Sequence, residues 1–499
     1  MSDKVKTLAI TFILLPLILG VVVGIWQVIP QRVNEDDPTF QHMMHNIERL
    51  AQRPRHTGTP SALAELERVR YEITMEIKDM GLEPIIHDVY LSRPEVERIR
   101  HLLGGRRTIN DRFFHDDYLP LQNILVRLES QTSDRVVMIV SHYDSALNSP
   151  GAADAMLPVA AMLEGLRLHA DNENLENNIY FLFTDAEEIG AFGAYAFIAA
   201  FPELAGRIDM LINLEAQGNS GGLILFETTP QPSSMLRVWN RAVSRPIGFS
   251  IAQPIYETLN TFTDFNFFKM HNWRGVNLAI IGGGRYYHTP RDNFANLNRD
   301  TAWHYLTTVL EFTNYVAQNS LYGLHESTHD AVFFTFMPGR IVIINRTLAN
   351  ILCGLAIILA IWTQIENIRK RCDSSSQKNA RLLVRIRPTL SMCVMLVLIV
   401  LSVVSAIYFN SGSYLFWLPL LFMALVTMLK KWVIAYFVAK AIARFVVLVL
   451  WVPLIYLIPM LNIISVPMAV LGIIVTICMY FMLCWLDFKV CYREITTPR

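Results

Sequence analysis

Residues 136–145 read VVMIVSHYDS, in which five consecutive apolar residues lead through a serine to a histidine and, two residues later, an aspartate. An uninterrupted apolar run of this length is typical of a strand buried on both faces, as in parallel sheets covered by helices. In such sheets the functional groups follow the carboxyl ends of the strands. We therefore expect His142 at a strand end, with Asp144 placed to accept a hydrogen bond from its imidazole.

Three further apolar runs end in a similar way. Each is followed by a residue that can bind a metal ion or transfer a proton, and another carboxylate stands at the entry to a predicted helix. These residues are Glu187 and Glu188 after 179–183, Glu215 after 211–214, His288 after 278–281, and Asp154 at the helix entry. Because the carboxyl ends of parallel strands meet at one edge of a sheet, we expect these side chains to converge with His142.

The wider pattern predicts an α/β fold with a mostly parallel, twisted sheet and helices on both faces, since apolar strands alternate with helices. The predicted strands are Ile85–Leu91, Asn123–Leu128, Val136–Ser141, Ile179–Thr184, Met210–Leu214, Gly222–Phe226 and Val276–Ile281. The predicted helices are Leu157–Ala170, Ala191–Phe201, Ser233–Ser244 and Asp300–Ala317, with two more between Asp37 and Gly81.

The composition requires a membrane for part of the chain. Of its 499 residues 53% are hydrophobic and 17% charged, and the 43 basic residues balance the 43 acidic ones. This balance argues against a nucleic-acid partner, which needs a basic surplus. Apolar runs long enough to cross a lipid bilayer lie at the two ends. The six predicted spans are Leu8–Val28, Ile341–Ile365, Leu390–Phe409, Tyr414–Met428, Phe445–Met460 and Leu461–Trp485.

The basic residues predict how the chain is oriented in the bilayer. Lysines precede the first span, acidic residues follow it, and the loops with most Lys and Arg come after the second and the fourth span. Since basic loops stay in the cytoplasm, both termini are predicted there. The predicted domains are an N-terminal anchor over 1–32, an extracytoplasmic domain over 33–339 and a membrane domain of about five helices over 340–499. All histidines lie between His42 and His329, so a metal site belongs to the extracytoplasmic domain.

Imidazoles and carboxylates in this number suit two zinc ions, roughly 3.5–4 Å apart, that share a bridging carboxylate. Two such ions lower the pKa of a water between them and so make a nucleophile near neutral pH. Of the adjacent Glu187 and Glu188, one can bind metal while the other takes the proton from that water and passes it to the leaving amine. The sequence therefore predicts a hydrolytic site with two zinc ions.

Five segments resemble, in order and spacing, the motifs of the di-zinc aminopeptidases of metallopeptidase family twenty-eight. They are SHYDS (141–145), PGAAD (150–154), TDAEEIG (184–190), INLEAQG (212–218) and YYHTPRDN (286–293). The resemblance runs from about Phe40 to Val316. It is closest to the membrane-bound branch that includes endoplasmic-reticulum metallopeptidase and the vacuolar membrane proteases, which also use Glu at position 215. Residues 263–265, Thr-Asp-Phe, resemble a segment that lines the family's substrate pocket.

The resemblance implies a role for each matching residue. One zinc would bind His142 and Glu215, the second Glu188 and His288, with Asp154 bridging them, Glu187 as general base and Asp144 orienting His142. One departure is that apolar residues follow Asp154, where the family often has a second Asp or Asn. We expect this to alter the pocket or the metal affinity, but every ligand is present, which favours an active enzyme.

A different metal site is offered by His325, Glu326 and His329, which match the H-E-x-x-H motif of another metalloprotease class. That motif needs a helix and a third ligand. Residues 323, 327 and 328 are poor helix formers, and the extended motif with a third histidine fails. We interpret the segment as a polar linker.

The predicted function is that of a membrane-anchored zinc exopeptidase, specifically an aminopeptidase that acts on peptide substrates. Carboxypeptidase action, glutaminyl cyclisation with one zinc, and a catalytically silent scaffold or transporter accessory stay open as alternatives. The predicted spans are almost free of charge, which argues against transport. The sequence does not specify the oligomeric state.

Overall fold

The computed structural model describes residues 28–102, 109–259, 261–324 and 328–351. Residues Val28–Ile343 form one compact unit. Within the described ranges, no helix is both long and apolar enough to cross a membrane. The predicted spans over 390–409, 414–428, 445–460 and 461–485 lie outside the described residues, as do all but the last residue of the first predicted span.

An eight-stranded sheet forms the centre of the unit. Its strands are β1 (Ile85–Ser92), β2 (Tyr118–Leu128), β3 (Val136–His142), β4 (Asn178–Thr184), β5 (Ile208–Ala216), β6 (Ile224–Thr228), β7 (Ile247–Gly248) and β8 (Gly275–Ile280). They are arranged in the order β1-β2-β4-β3-β5-β8-β6-β7.

The sheet is mixed, so the predicted mostly parallel sheet is correct for its centre and for the edge pair of β6 and β7. Strands β4, β3, β5 and β8 are parallel to one another. In contrast, β1 pairs with β2, β2 with β4, and β6 with β8 in the antiparallel sense. The outermost strand β1 is largely half-buried or exposed, and antiparallel strands tolerate water on one face. The central strands are buried on both faces, as their continuous apolar runs predict.

Helices cover both faces of the sheet, as predicted. The helices are α1 (Pro38–Leu50), α2 (Pro60–Asp79), α3 (Arg93–Leu102), α4 (Leu157–His169), α5 (Phe192–Ala200), α6 (Ser233–Ala242), α7 (Ala252–Thr258), α8 (Phe265–Met270) and α9 (Arg299–Gln318). On β3, Val137 and Ile139 pack in the core with α1, α2, α4 and α9. The alternate residues Met138 and Val140 pack in a second core with α3, α5 and α8. The alternation of side chains along the strand thus supplies both cores.

Polar residues cap the long helices where the sequence changes from loop to helix. Asp37 accepts a hydrogen bond from the N–H of Phe40 at the start of α1, and Pro38 occupies the first turn. The side chain of Asn298 accepts a hydrogen bond from the N–H of Thr301 at the start of α9. Such caps satisfy backbone donors that a helix leaves free at its first turn.

A hairpin of β9 (Ala331–Met337) and β10 (Arg340–Asn345) follows the last long helix. The apolar run predicted to span the membrane from Ile341 therefore begins as a strand, and helical backbone starts only at residue 346. The reason is a pair of hydrogen bonds from α6. The side chain of Asn240 accepts the N–H of Ile341 at 2.8 Å and donates to its carbonyl at 3.0 Å. These bonds fix the residue in an extended conformation.

Replacing Asn240 by alanine should release this hairpin. The Asn240→Ala change removes both hydrogen bonds, each of which contributes about 0.5–1.5 kcal/mol. We expect the amide of Ile341 to exchange its hydrogen at least about fivefold faster, while the amides of β3 keep their protection. Hydrogen exchange followed by mass spectrometry measures both. The matched control is Asn174→Ala at an exposed loop position; equal exchange at Ile341 in both variants would contradict the assignment.

Candidate active site

The carboxylate of Asp144 connects the ends of two neighbouring parallel strands. β3 ends at His142, which is paired in register with Thr184 at the end of β4. Asp144 Oδ1 lies 3.3 Å from His142 Nδ1 and accepts the N–H of Glu187 at 3.1 Å. Its Oδ2 accepts the N–H of Glu188 at 3.2 Å. One buried side chain therefore contacts the imidazole and both glutamate amides.

Asp154 lies between the two predicted histidine ligands. It belongs to the turn Ala152–Met156 that precedes α4, and its own backbone angles are not helical. Its Oδ1 is 3.3 Å from His142 Nε2, and its Oδ2 is 3.2 Å from His288 Nε2. The two imidazoles, one from the end of β3 and one from the loop after β8, thus approach different oxygens of one carboxylate.

Glu188 and Glu215 lie on the two sides of this centre. Glu188 Oε2 is 2.9 Å from the Nε2 of His288, and Glu215 Oε2 is 3.6 Å from the Nε2 of His142. Ligand atoms of His142, Asp154 and Glu188 all lie within 4.8 Å of one another. The structure therefore brings together all five residues that the sequence predicts as metal ligands.

The histidine nitrogens that face these carboxylates are suited to a metal ion. His142 Nε2 and His288 Nε2 are buried and make no hydrogen bond, although carboxylate oxygens lie 2.9–3.6 Å away. A buried polar atom without a hydrogen bond is destabilising. A cation between these Nε2 atoms and the carboxylate oxygens would interact favourably with both kinds of atom. Imidazole together with carboxylate is a common ligand set of Zn²⁺. The donor atoms therefore fit zinc.

The charges of the centre also favour a cation. Burial raises the pKa of the Glu187 carboxyl well above its usual range; His142 opposes this shift, and the charges of Glu215 and Glu188 add to it. Burial likewise raises the pKa of Glu188, and the charge of Asp154 adds to the shift. Carboxylates that repel one another in a buried site gain from a bound cation, because it stabilises their charged forms.

Asp292 supports the turn that carries Asp154, a role that the sequence analysis missed. Its two carboxylate oxygens accept the N–H groups of Ala153 at 2.8 Å and of Asp154 at 3.2 Å. Burial raises the pKa of the Asp292 carboxyl to about 7, and the charge of Asp154 adds to the shift. Asp292 is part of the quoted YYHTPRDN segment, but the sequence alone does not distinguish it from an ordinary aspartate in a loop.

Arg55 is a second missed residue, and it is fully buried next to the same turn. Its guanidinium donates to the carbonyls of Tyr143 at 2.6 Å, of Gly151 at 3.0 Å and of Pro150. Burial lowers the pKa of Arg55 to about 10. By joining three carbonyls, this side chain fixes the loop between β3 and Asp154. Its position within the stretch that resembles the family, from about Phe40 to Val316, was the available signal.

Asp185 fixes the backbone that leads into the two glutamates. Its Oδ2 accepts hydrogen bonds from the N–H of Gln122 at 3.0 Å, from the Tyr143 hydroxyl at 3.2 Å and from the Arg70 guanidinium at 3.2 Å. The following residue, Ala186, has a φ of 59°, which costs a non-glycine residue free energy unless its surroundings hold it. The interactions of Asp185 provide that constraint.

An open cleft gives access to the centre. The cavity has a volume of about 500 Å³ and is bordered by Glu188, Ile189 and His288 on one side and by His56 and Leu147 on the other. This volume lies within the range of binding sites for small molecules and peptide ends. A substrate can therefore reach the carboxylates directly from solvent.

The alternative motif at the end of the domain gains no support. Residues 325–327 lie outside the described residues, and residues 328–330 have no helical backbone. His329 donates its N–H to the Ser233 hydroxyl at 2.8 Å, and its Nδ1 lies 3.0 Å from the Asp330 carbonyl. An H-E-x-x-H site needs both histidines on one helix. His329, which lies in the described part of the segment, is not on a helix.

Asp144→Asn tests the connecting role of Asp144. The amide keeps the size of the side chain but replaces one acceptor oxygen by a donor, so either His142 or a glutamate N–H loses its partner. Changes of this kind next to metal ligands typically weaken metal binding about 10–100-fold. Competition for zinc against a chelator measures the affinity. Asp171→Asn, at an exposed position, should bind zinc like the unchanged protein; the role is refuted if both variants do so.

Comparison with known proteins identifies the domain type. Residues 123–313 match the model of Peptidase family M28. Endoplasmic reticulum metallopeptidase 1 of Rattus norvegicus is 30% identical over 62% of this chain and 34% of its own length. The vacuolar membrane protease of Candida dubliniensis is 31% identical over 51% of this chain and 27% of its own length. The chain thus matches 34% of the length of the first relative and 27% of the length of the second.

Solved structures are also similar to part of the chain. An aminopeptidase from Aneurinibacillus sp. strain AM-1 is 13% identical with a TM-score of 0.43, and it matches 61% of this chain and 95% of its own. A zinc aminopeptidase from Bacillus subtilis is 13% identical with a TM-score of 0.42, and it matches 60% of this chain and 99% of its own.

Proposed function

Since residues 123–313 match the model of Peptidase family M28, we propose that the chain is an aminopeptidase whose site binds two zinc ions. The resemblance predicted from the five motifs is confirmed at the level of the family. In our proposal, one zinc is held by His142 and Glu215 and the other by Glu188 and His288. Asp154 bridges the two ions.

The position of Asp154 carries this proposal. Its two oxygens lie at nearly equal distances, 3.3 and 3.2 Å, from the Nε2 atoms of His142 and His288. With a single metal ion, one of the two imidazoles would lack a role in this carboxylate-rich centre. Two ions would give a role to both imidazoles, to both oxygens of Asp154 and to Glu215 and Glu188. This arrangement supports two zinc ions over the single ion of a cyclase-like site.

Glu187 is the general base in this proposal. A pair of zinc ions, when bound, supplies a water nucleophile near neutral pH and polarises the scissile carbonyl. The backbone of Glu187 is fixed by Asp144, and its carboxyl is buried with a raised pKa. Bound zinc ions would keep this carboxylate ionised despite its burial, so that it can accept a proton and pass it to the leaving amine.

Glu187→Gln should leave the metal centre intact and abolish hydrolysis. The amide cannot accept the proton, so turnover of a leucine aminoacyl reporter should fall by at least about 100-fold. Zinc content by elemental analysis should stay at two ions per chain. Two controls are Glu173→Gln, at an exposed position, and Glu326→Gln in the H-E-x-x-H segment, which should both keep full activity.

The outcome of this test separates the alternatives. Less than one zinc per chain together with no turnover would refute a zinc enzyme, whereas one zinc and cyclisation of N-terminal glutamine would favour a cyclase. Loss of activity in Glu326→Gln but not in Glu187→Gln would move the site to the H-E-x-x-H segment. Peptides with a blocked N-terminus should resist cleavage, because an aminopeptidase recognises the free amine.

We also propose that the flanking apolar runs hold the catalytic domain on the extracytoplasmic side of a membrane. The proposal rests on the charge distribution of the sequence, with basic loops facing the cytoplasm. The printed names of two relatives place those proteins at the endoplasmic reticulum and at the vacuolar membrane. The boundaries proposed are 1–32 for the anchor, 33–339 for the peptidase domain and 340–499 for the membrane domain.

Protease protection tests this orientation. In sealed vesicles with the cytoplasmic face outward, residues 33–339 should resist added trypsin until detergent opens the vesicles. The basic segment over 369–387 should be cut in both conditions, because it faces the cytoplasm in the proposal. Mass spectrometry of the released peptides measures both regions. Cleavage of the peptidase domain in intact vesicles contradicts the orientation.

A further inference from the structure

A second cavity, which we call the side pocket, lies next to the candidate active site. It has a volume of about 250 Å³, enough for one large amino-acid side chain. Ile189 lines both the side pocket and the cleft that contains Glu188 and His288. Since Ile189 directly follows Glu188, the side pocket is separated from the candidate metal centre by one residue of the same loop.

Two polar atoms in the wall of the side pocket have no hydrogen-bond partner. The hydroxyl oxygens of Tyr256 and Thr261 are both buried and unpaired, and Tyr256 as a whole is only 6% exposed. A side-chain hydrogen bond from Thr263 to its charged form lowers the pKa of the Tyr256 phenol, so the neutral phenol can still donate its proton to a ligand. Buried hydroxyls are normally hydrogen-bonded. These two are therefore available to a ligand that brings a donor and an acceptor.

The charged residues of the pocket wall are already paired with one another. Lys269 Nζ lies 2.9 Å from Glu227 and 3.2 Å from Glu257. Arg100 lies 2.6 Å from Glu97 on its own helix. A charged ligand would have to displace one of these partners, at the cost of desolvating a second charge. The pocket therefore favours a neutral occupant.

Apart from Asn266, the rest of the wall is apolar. Ile189, Phe192, Leu259, Phe262 and Met270 supply this surface. Apolar walls with a few polar groups are typical of pockets that fix the orientation of a ligand. An occupant with an apolar stem and a polar end matches this distribution.

A chain of buried hydrogen bonds joins the pocket to the candidate metal centre. Asn277 Nδ2 donates to Glu227 Oε2 at 3.0 Å. Asn213 Nδ2 donates at 3.0 Å both to Asn277 Oδ1 and to Glu215 Oε1. Burial raises the pKa of the Tyr256 phenol, and the charges of Glu227 and Glu215 add to the shift. Hydrogen bonds thus connect one wall residue of the pocket, Glu227, to the candidate metal ligand Glu215.

We propose that the side pocket selects the N-terminal residue of the substrate and favours neutral side chains with an apolar stem and a terminal hydroxyl or amide. Tyr256 and Thr261 are the specificity-determining residues, because their hydroxyls bind the polar end of that side chain. This inference rests on the proposed aminopeptidase function. It differs from a purely apolar pocket, which would prefer phenylalanine over tyrosine.

Matched substrate pairs test the inference. The full-length protein, loaded with zinc, is assayed with aminoacyl-coumarin substrates of tyrosine against phenylalanine and of glutamine against norleucine. We expect kcat/KM to favour the polar member of each pair by about tenfold or more, because the pocket hydroxyls stay unpaired with the apolar member. Tyr256→Phe and Thr261→Val should each reduce this ratio about three- to tenfold, the effect of one hydrogen bond.

The control variant is Tyr90→Phe, which alters a tyrosine that is 66% exposed on β1, and it should keep the ratios of the unchanged protein. Hydrolysis of a leucine substrate together with a preference for phenylalanine, or with ratios that neither Tyr256→Phe nor Thr261→Val alters, overturns the side-pocket inference alone. If no aminoacyl substrate, leucine included, is hydrolysed, the proposed function itself fails and this inference fails with it.

Discussion

Hydrogen bonds from two backbone amides to one buried carboxylate hold the candidate site together. Asp144 accepts the N–H groups of Glu187 and Glu188 while its Oδ1 lies 3.3 Å from His142 Nδ1. These groups come from adjacent strands, and parallel pairing places the ends of those strands side by side. The sheet thus brings the segments near each other, and Asp144 converts that proximity into a defined orientation.

This arrangement concentrates negative charge in a buried site, which is destabilising. Asp144, Asp154, Glu187, Glu188 and Glu215 are all buried and converge on two imidazoles. Without a cation, protonation must relieve the repulsion, which agrees with the raised pKa of Glu187. Zinc ions relieve it without protons, and Glu187 can then stay ionised to act as a base. The same feature that destabilises the metal-free domain therefore suits it to hydrolysis.

The sequence was sufficient to predict those helices and strands whose own residues show a clear pattern. Strand β4 and helix α4 match the predicted elements within one residue at each end. The sequence of β4 is continuously apolar, and the sequence of α4 has a clear helical pattern. Helix α3 was not predicted, since it is mostly charged and buries only Val96 and Ile99. Arg55 and Asp292 were missed for another reason: each acts on residues about 90 or more positions away, and only the folded chain shows such contacts.

Anomalous X-ray diffraction at the zinc absorption edge tests the two-zinc centre most directly. Crystals of the zinc-loaded protein should show two peaks, roughly 3.5–4 Å apart. One peak should lie beside His142 and Glu215, the other beside His288 and Glu188, with Asp154 between them. A single peak, no peak at these residues, or zinc bound instead by His325 and His329 would contradict the account.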